Sequence, residues 1–212
     1  ELYNFFKSQN LSTKVNPIFS EGRGVDAFPE LGITPEQYGK SMIELFDLWF
    51  YDPNPTIRID SLDKFYHGLL FKKPRGCDFG QDCRTNFISV NYAGDFFPCG
   101  RFNGADEFHI GNVSSSNMQD IVAQQIEKTG KREVESCKPC KWYEVCYSGC
   151  PHNAYTAHGT INSPDYFCKG IQMIYAHMEK VIDAELDKAA EKRATRLATA
   201  EKPAEVAQIE KF

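Results

Sequence analysis

The chain has 212 residues, 42% of them hydrophobic and 13% aromatic, with a formal charge of −5 and eight cysteines. A chain of this size and composition can bury a core without covalent staples, which counts against a disulfide framework as the purpose of the cysteines. The acidic balance, with no basic stripe, argues against nucleic acid as the main ligand, and no apolar run approaches membrane-spanning length.

In chain order, Lys14-Val-Asn-Pro-Ile-Phe19 is a short strand candidate and Ile57-Arg-Ile59 another. Between them Thr34 caps a helix, Pro35 starts it and Gln37 completes a capping box. Tyr38, Met42, Leu45, Phe46, Trp49 and Phe50 fall on one face of that helix, the face expected to be buried. Asn16, Glu21 and Arg23 lie in or just after the first strand candidate, where ligands collect on α/β scaffolds. Gly22 and Gly24 alone make no phosphate-binding motif.

The middle of the chain holds the cysteines, as Cys77-x5-Cys83-x15-Cys99 and then Cys137-x2-Cys140-x5-Cys146-x3-Cys150, with Cys168 after a further gap. Phe87–Tyr92, the turn Ala93-Gly94-Asp95 and Phe96-Phe97-Pro98 read as a β-hairpin that ends on Cys99. Cys137 to Cys150 form a compact loop with Trp142, Tyr143 and Tyr147, which either shield a site from water or pack as ordinary core. Ser163-Pro164-Asp165 has the signature of a helix start, which puts Cys168 in the first turn of a long helix. An apolar stripe follows through Phe167, Ile171, Ile174, Tyr175, Met178 and Ile182. Beyond Leu186 the chain turns Ala-, Lys- and Glu-rich and meets Pro203, so residues 188–212 are expected to form a solvated helix or a disordered end.

Thiolates suit zinc, Cu(I) or iron–sulfur clusters, and eight of them make two complete four-cysteine sites. Zinc sites usually close with two short knuckles. Here only Cys137–Cys140 is such a pair, so the spacing favours iron–sulfur while leaving zinc open.

The same cysteines resemble the SPASM domain of radical SAM peptide maturases. The resemblance rests on Cys83, Gly94-Asp-Phe-Phe-Pro-Cys99, Cys137-Lys-Pro-Cys140, Cys146-Tyr-Ser-Gly-Cys150-Pro151 and Cys168, with the extra Cys77 as in forms with two auxiliary clusters. It implies one auxiliary [4Fe–4S] cluster on Cys77, Cys83, Cys99 and Cys150, and a second on Cys137, Cys140, Cys146 and Cys168. Because Cys150 would belong to the other cluster from its neighbours, assembly and folding would be coupled. Full ligation of both clusters would leave electron transfer or structural support as their role. The implied fold is α/β: residues 1–75 as the C-terminal part of a partial (β/α)6 radical SAM barrel and its bridge, then 76–187 as an α+β SPASM domain with the hairpin.

Two departures from the family narrow the expectation. No Cys-x3-Cys-x2-Cys loop is present, so the chain reads as the C-terminal part of a longer enzyme or one half of a split one. The N-terminal radical SAM half would carry S-adenosyl-L-methionine and a third [4Fe–4S] cluster. Sulfatase-maturing members carry an aspartate after the hairpin cysteine, whereas Cys99 is followed by Gly100-Arg101-Phe102. Oxidative cross-linking of a ribosomal precursor peptide, by a carbon–carbon, ether or thioether bond, is therefore expected instead.

Asp95, Asp106, Glu107 and His109 are candidate bases, although hydration or capping also accounts for each. His152 is a candidate hydrogen-bond partner near the first cluster, with a plain surface position as the alternative, and its six-residue gap to His158 does not favour a shared metal site. The resemblance further implies a cytoplasmic setting and a reductant such as a flavodoxin or ferredoxin. The alternative class is a non-enzymatic module, either an iron–sulfur electron carrier or a zinc-stabilised binding domain.

Overall fold

A computed structural model of the chain describes residues 1–22, 24–80, 85–130 and 132–200. Four helices come first: α1 (Leu2–Ser8), α2 (Gly24–Leu31), α3 (Pro35–Phe50) and α4 (Asp60–Phe71). Three short strands follow, β1 (Ser89–Val90), β2 (Asp95–Phe97) and β3 (Gly111–Asn112). Helices α5 (Met118–Gln125), α6 (Tyr143–Cys146), α7 (Pro151–His158) and the long α8 (Cys168–Ala200) complete the described chain.

Helix α3 starts as its sequence dictates. The Thr34 hydroxyl accepts from the Gln37 amide at 3.1 Å, and Gln37 Oε1 accepts from the Thr34 amide at 2.8 Å. Tyr38, Met42 and Phe46 are buried, with Leu45, Trp49 and Phe50 packed around them. Against this face lies α8, presenting Ile171, Ile174, Tyr175, Met178 and Ile182, all buried. The two helices approach closely where Gly39 meets Gly170: a Cβ on Gly170 would stand 2.2 Å from the Pro35 carbonyl oxygen. Glycine is required there by backbone proximity, and the crossing fixes the end of α8 that carries Cys168.

The two strand candidates before the cysteines are shorter than the sequence suggests. Lys14–Phe19 and Ile57–Ile59 reduce to one parallel bridge, Thr13 to Ile59, with the Thr13 amide bonded to Arg58 O and the Asp60 amide to Thr13 O. The reason is local. Ile59 runs straight into α4, so the Ser61 hydroxyl substitutes for a ladder partner and bonds both the amide and the carbonyl of Val15. Pro17 then has no donor to extend the pairing. The described molecule is helix-rich with a small sheet rather than strand–helix alternation.

The hairpin forms as expected. β1 pairs antiparallel with β2 in the register Ser89 to Phe97, and β2 with β3 in the register Asp95 to Asn112. Gly94 takes a φ of +84°, and Asn91 Oδ1 accepts from the amides of Ala93 and Asp95 to close the turn. A small second core of Phe97, Phe102, Phe108 and Ile161 packs beneath, with Cys99 against it.

One helix start is relocated. Ser163 and Pro164 precede α8, which begins at Cys168. Asp165 takes over the capping: its Oδ1 accepts from the Phe167 amide at 2.8 Å and its carbonyl from the Cys168 amide at 2.9 Å. At the other end the helix is exposed from Lys188 to Leu197, and Pro203 lies outside the described residues.

Candidate metal centre and adjoining cavity

The seven described cysteines carry free thiols, and Cys83 lies outside the described residues. They fall into two groups. Cys77 sits in the turn Gly76–Phe79, Cys99 just after β2, and Cys150 at the start of α7; all three line one cavity of about 590 Å³. Burial pushes the Cys150 thiol up to about 12, with the Arg101 guanidinium working in the opposite direction. The Cys77 thiol is also raised, by burial first and then by Asp78, with a further contribution from Cys99.

The second group is Cys137, Cys140, Cys146 and Cys168. Cys137 ends a short 3-10 turn, the Cys140 amide bonds the Cys137 carbonyl, Cys146 ends α6 and Cys168 begins α8. Burial raises the Cys146 thiol most, and Asp165, Cys168, Cys137 and Cys140 raise it further. Cys168 is pushed up to about 11 by burial, then by Cys137 and Cys140. Sulfurs that raise one another's pKa resist ionising together unless a cation shares the space, and a metal supplies that charge. No three His, Cys, Asp or Glu among the described residues converge closely enough to hold one ion.

The segment joining the two groups is unusual backbone. Tyr147, Ser148 and Gly149 have φ of 45°, 71° and 71°, three left-handed residues in a row. Two of them carry side chains, and each such residue costs about 1–3 kcal/mol unless its surroundings fix it. Two buried groups do so. The Arg132 guanidinium donates to the carbonyls of Ser148, Gly149, Ile161 and Ser163. Asp165 accepts from the Cys150 amide at 2.7 Å and from Asn153 Nδ2, while its own amide donates to Ser148 O. Burial pushes the Asp165 carboxyl up, against these donors. Sequence reasoning read Asp165 only as a first-turn acid and passed over Arg132. The left-handed demand of Tyr-Ser-Gly between two cysteines was the available signal.

Around the first group the cavity wall is charged. Lys64 pairs with Asp78 and lies 4.7 Å from the Phe79 ring centre. Burial works against its ammonium, yet Tyr38 and Asp78 hold its pKa above the ordinary lysine value. Arg101 Nη1 lies 3.2 Å from Cys150 Sγ, and Nη2 donates to Asn153 Oδ1 at 2.7 Å. His152 is 3% exposed, with Nε2 3.3 Å from Glu21, and burial followed by Arg101 lowers its pKa to about 4. Two buried polar atoms of residues that line the cavity lack a hydrogen-bond partner, Arg101 Nε and His152 Nδ1. Arg101 carries its proton in every accessible form and lines the cavity, so the wall holds an N–H donor suited to an anionic iron–sulfur group. The residues present fit such a group.

The other candidates sort plainly. Asn16 lines the cavity, Glu21 reaches Arg101 and His152, and Arg23 lies outside the described residues. Asp95 is tied into the hairpin by Asn112 and Asn91, which hold its carboxyl below the ordinary range, and His109 pairs with it. Asp106 and Glu107 occupy a 3-10 turn, and His158 is exposed at the end of α7. None of these five lines the cavity.

No family model matches the chain. By sequence it is 23% identical over 188 residues to a cysteine-type anaerobic sulfatase-maturating enzyme of Clostridium perfringens (strain 13 / Type A), covering 84% of this chain and 49% of that one. A serine-type anaerobic sulfatase-maturating enzyme of Bacteroides thetaiotaomicron is 24% identical over 164 residues, 74% of this chain and 39% of the relative. Anaerobic sulfatase-maturating enzymes are among its relatives. This is the radical SAM group that the cysteine pattern resembles. Among solved structures, a histidine-tagged anSMEcpe with bound AdoMet superposes with a TM-score of 0.68 at 20% identity, over 94% of this chain and 54% of that one. The native anSMEcpe with bound AdoMet gives 0.66.

The chain spans about half the length of the clostridial maturating enzymes it matches. Gly100 after Cys99 steered the sequence reading away from sulfatase maturation, yet the relatives are sulfatase-maturating enzymes of both cysteine and serine type. Among the described residues no helix is long and apolar enough to cross a membrane.

Proposed function

We propose that this chain is the auxiliary-cluster part of a radical SAM enzyme that oxidises a residue of a peptide or protein substrate. The observation that supports the reading is the second cysteine group, in which Cys137 and Cys140 share a backbone hydrogen bond, Cys146 ends α6 and Cys168 begins α8, with Cys146 raised by burial first and then by its neighbours. Four thiolates are a donor set that suits an iron–sulfur cluster, whose sulfur ligands stand further apart than those of a single ion. Cys137, Cys140, Cys146 and Cys168 would hold one [4Fe–4S] cluster, and Cys77, Cys83, Cys99 and Cys150 the other. Bound there, the clusters would accept or pass on single electrons. This chain's own residues close the sites: Asp165 anchors the Cys150 amide, Arg132 holds the strap between the groups, and Arg101 donates to Cys150.

The SAM-binding half, with S-adenosyl-L-methionine and a third cluster, would be supplied upstream or by a separate chain. A flavodoxin or ferredoxin would supply electrons, in a reduced cytoplasm that spares the clusters. The finer chemistry proposed is oxidative cross-linking of a ribosomally made peptide, supported by Gly100 in the position after the hairpin cysteine. A sulfatase-type oxidation is the second reading, favoured by the relatives.

Anaerobic purification with iron, sulfide and zinc analysis tests the proposal. About eight irons and eight sulfides per chain support it. About two zincs without sulfide would replace it with a zinc-stabilised binding module. Mass spectrometry of peptide turned over by the complete enzyme then separates the chemistries. A cysteine oxidised to an aldehyde loses its sulfur. A serine oxidised to an aldehyde loses two hydrogens, as a cross-link does, but leaves a carbonyl that a hydrazide labels and a cross-link lacks.

A further inference from the structure

Arg101 follows Cys99 by two residues, within the 3-10 turn Gly100–Phe102. Its guanidinium nevertheless reaches across the cavity to Cys150, 3.2 Å from Nη1. Three other contacts hold it. Asn153 Oδ1 accepts from Nη2 at 2.7 Å, the Phe19 ring lies 3.7 Å below its central carbon, and the Glu21 carboxylate stands 3.9 Å from Nε. Asn153 donates in turn to Asp165, and Asp165 accepts from the Cys150 amide. The contacts therefore close a ring through Arg101, Asn153, Asp165 and Cys150, so the guanidinium is fixed relative to the sulfur it touches.

We propose that Arg101 is a positioning residue that sets the reduction potential of the iron–sulfur group that Cys150 would help to hold, with Glu21 as the counter-charge that limits its effect. The inference rests on the iron–sulfur reading above. One-electron reduction, by dithionite in the test, adds negative charge that spreads onto the cysteine sulfurs. A fixed cation donating an N–H to one of them stabilises the reduced form more than the oxidised form and so raises the potential. Glu21 places a negative charge on the far side of the same guanidinium and works in the opposite direction. Neither residue is a cysteine, and the Arg101 contact is confined to the first group. The second group has a different polar neighbour: Gln172 Nε2 stands 3.9 Å from Cys140 Sγ.

The test is an EPR-monitored potentiometric titration of the anaerobically reconstituted chain as wild type, R101Q, R101K and E21Q, with iron and sulfide measured in each. R101Q is expected to lower the equilibrium constant for reducing one cluster at least tenfold, which is 59 mV for a one-electron couple, and to leave the other in place. R101K keeps the charge without the planar fork and falls between wild type and R101Q. E21Q moves the same cluster the other way. Unchanged potentials in fully loaded R101Q overturn the inference, as does an equal shift of both clusters. Should R101Q fail to take up iron, E21Q decides: no upward shift refutes the role of Arg101. A wild-type chain that takes up no iron and sulfide fails at the cluster reading itself, which the metal analysis shows directly.

Discussion

Replacing Gly170 with alanine would place a methyl carbon 2.2 Å from the Pro35 carbonyl oxygen and 3.0 Å from the Gly39 amide nitrogen. Both neighbours are backbone atoms of α3, so no side-chain rotation relieves the contact. Restoring ordinary van der Waals separation requires the first turns of α3 and α8 to part by roughly 1 Å. Overpacking of this kind costs about 3 kcal/mol at the upper end of its range. Alanine recovers about 1 kcal/mol of helix propensity over glycine, which leaves a net loss of about 2 kcal/mol. For a chain of this length that corresponds to a melting temperature lower by about 4–8 °C, read by circular dichroism on the cluster-free protein. The displacement also carries Cys168, two residues earlier, away from Cys137 and Cys140, so the iron bound per chain should fall by up to about four atoms. A melting temperature equal to or above wild type would refute the reasoning, because it would mean that the helices do not cross at these glycines.

Three further outcomes are expected. Arg132→Met removes the donor shared by the carbonyls of Ser148, Gly149, Ile161 and Ser163, and should cost about 3 kcal/mol in urea unfolding. Asp52 accepts from Tyr3 and Lys7 and ties α1 to the end of α3; Lys7 first, then Tyr3, lowers its pKa to about 2. Its stabilising contribution is therefore present above the ordinary carboxylate value of 3.8 and lost as pH falls through about 2, a step that D52N should lack in acid titrations followed by fluorescence. Cys146→Ser should lower bound iron by about four atoms per chain while the signal of the other cluster persists in EPR.

What was legible in the sequence divides by range of interaction. The capping box at Thr34, the hairpin turn at Gly94 and the apolar stripe of α8 are local patterns, and each formed where its residues stand. The grouping of Cys137, Cys140, Cys146 and Cys168 was reached through family resemblance, because no local rule joins a loop to a helix start. Lys14–Phe19 misled as a strand because its alternation gives no sign that Ile59 turns at once into α4. The helix start at Ser163 misled because Asp165, the stronger cap, also serves Cys150 and Asn153 across the fold. Arg101 and Arg132 were invisible for the same cause: their partners lie far along the chain, and a lone arginine in a loop has no pattern.

The left-handed strap of Tyr147, Ser148 and Gly149 also acts as a ruler. Four residue steps separate Cys146 from Cys150, and even a fully extended chain of that length spans only about 14 Å. Coiled and pinned by Arg132, the strap is shorter still and cannot lengthen without breaking buried bonds. Whatever one cysteine group would bind is therefore held within a fixed distance of the other. Residues inserted into the strap would let the two groups drift apart, and with them the sites they would form.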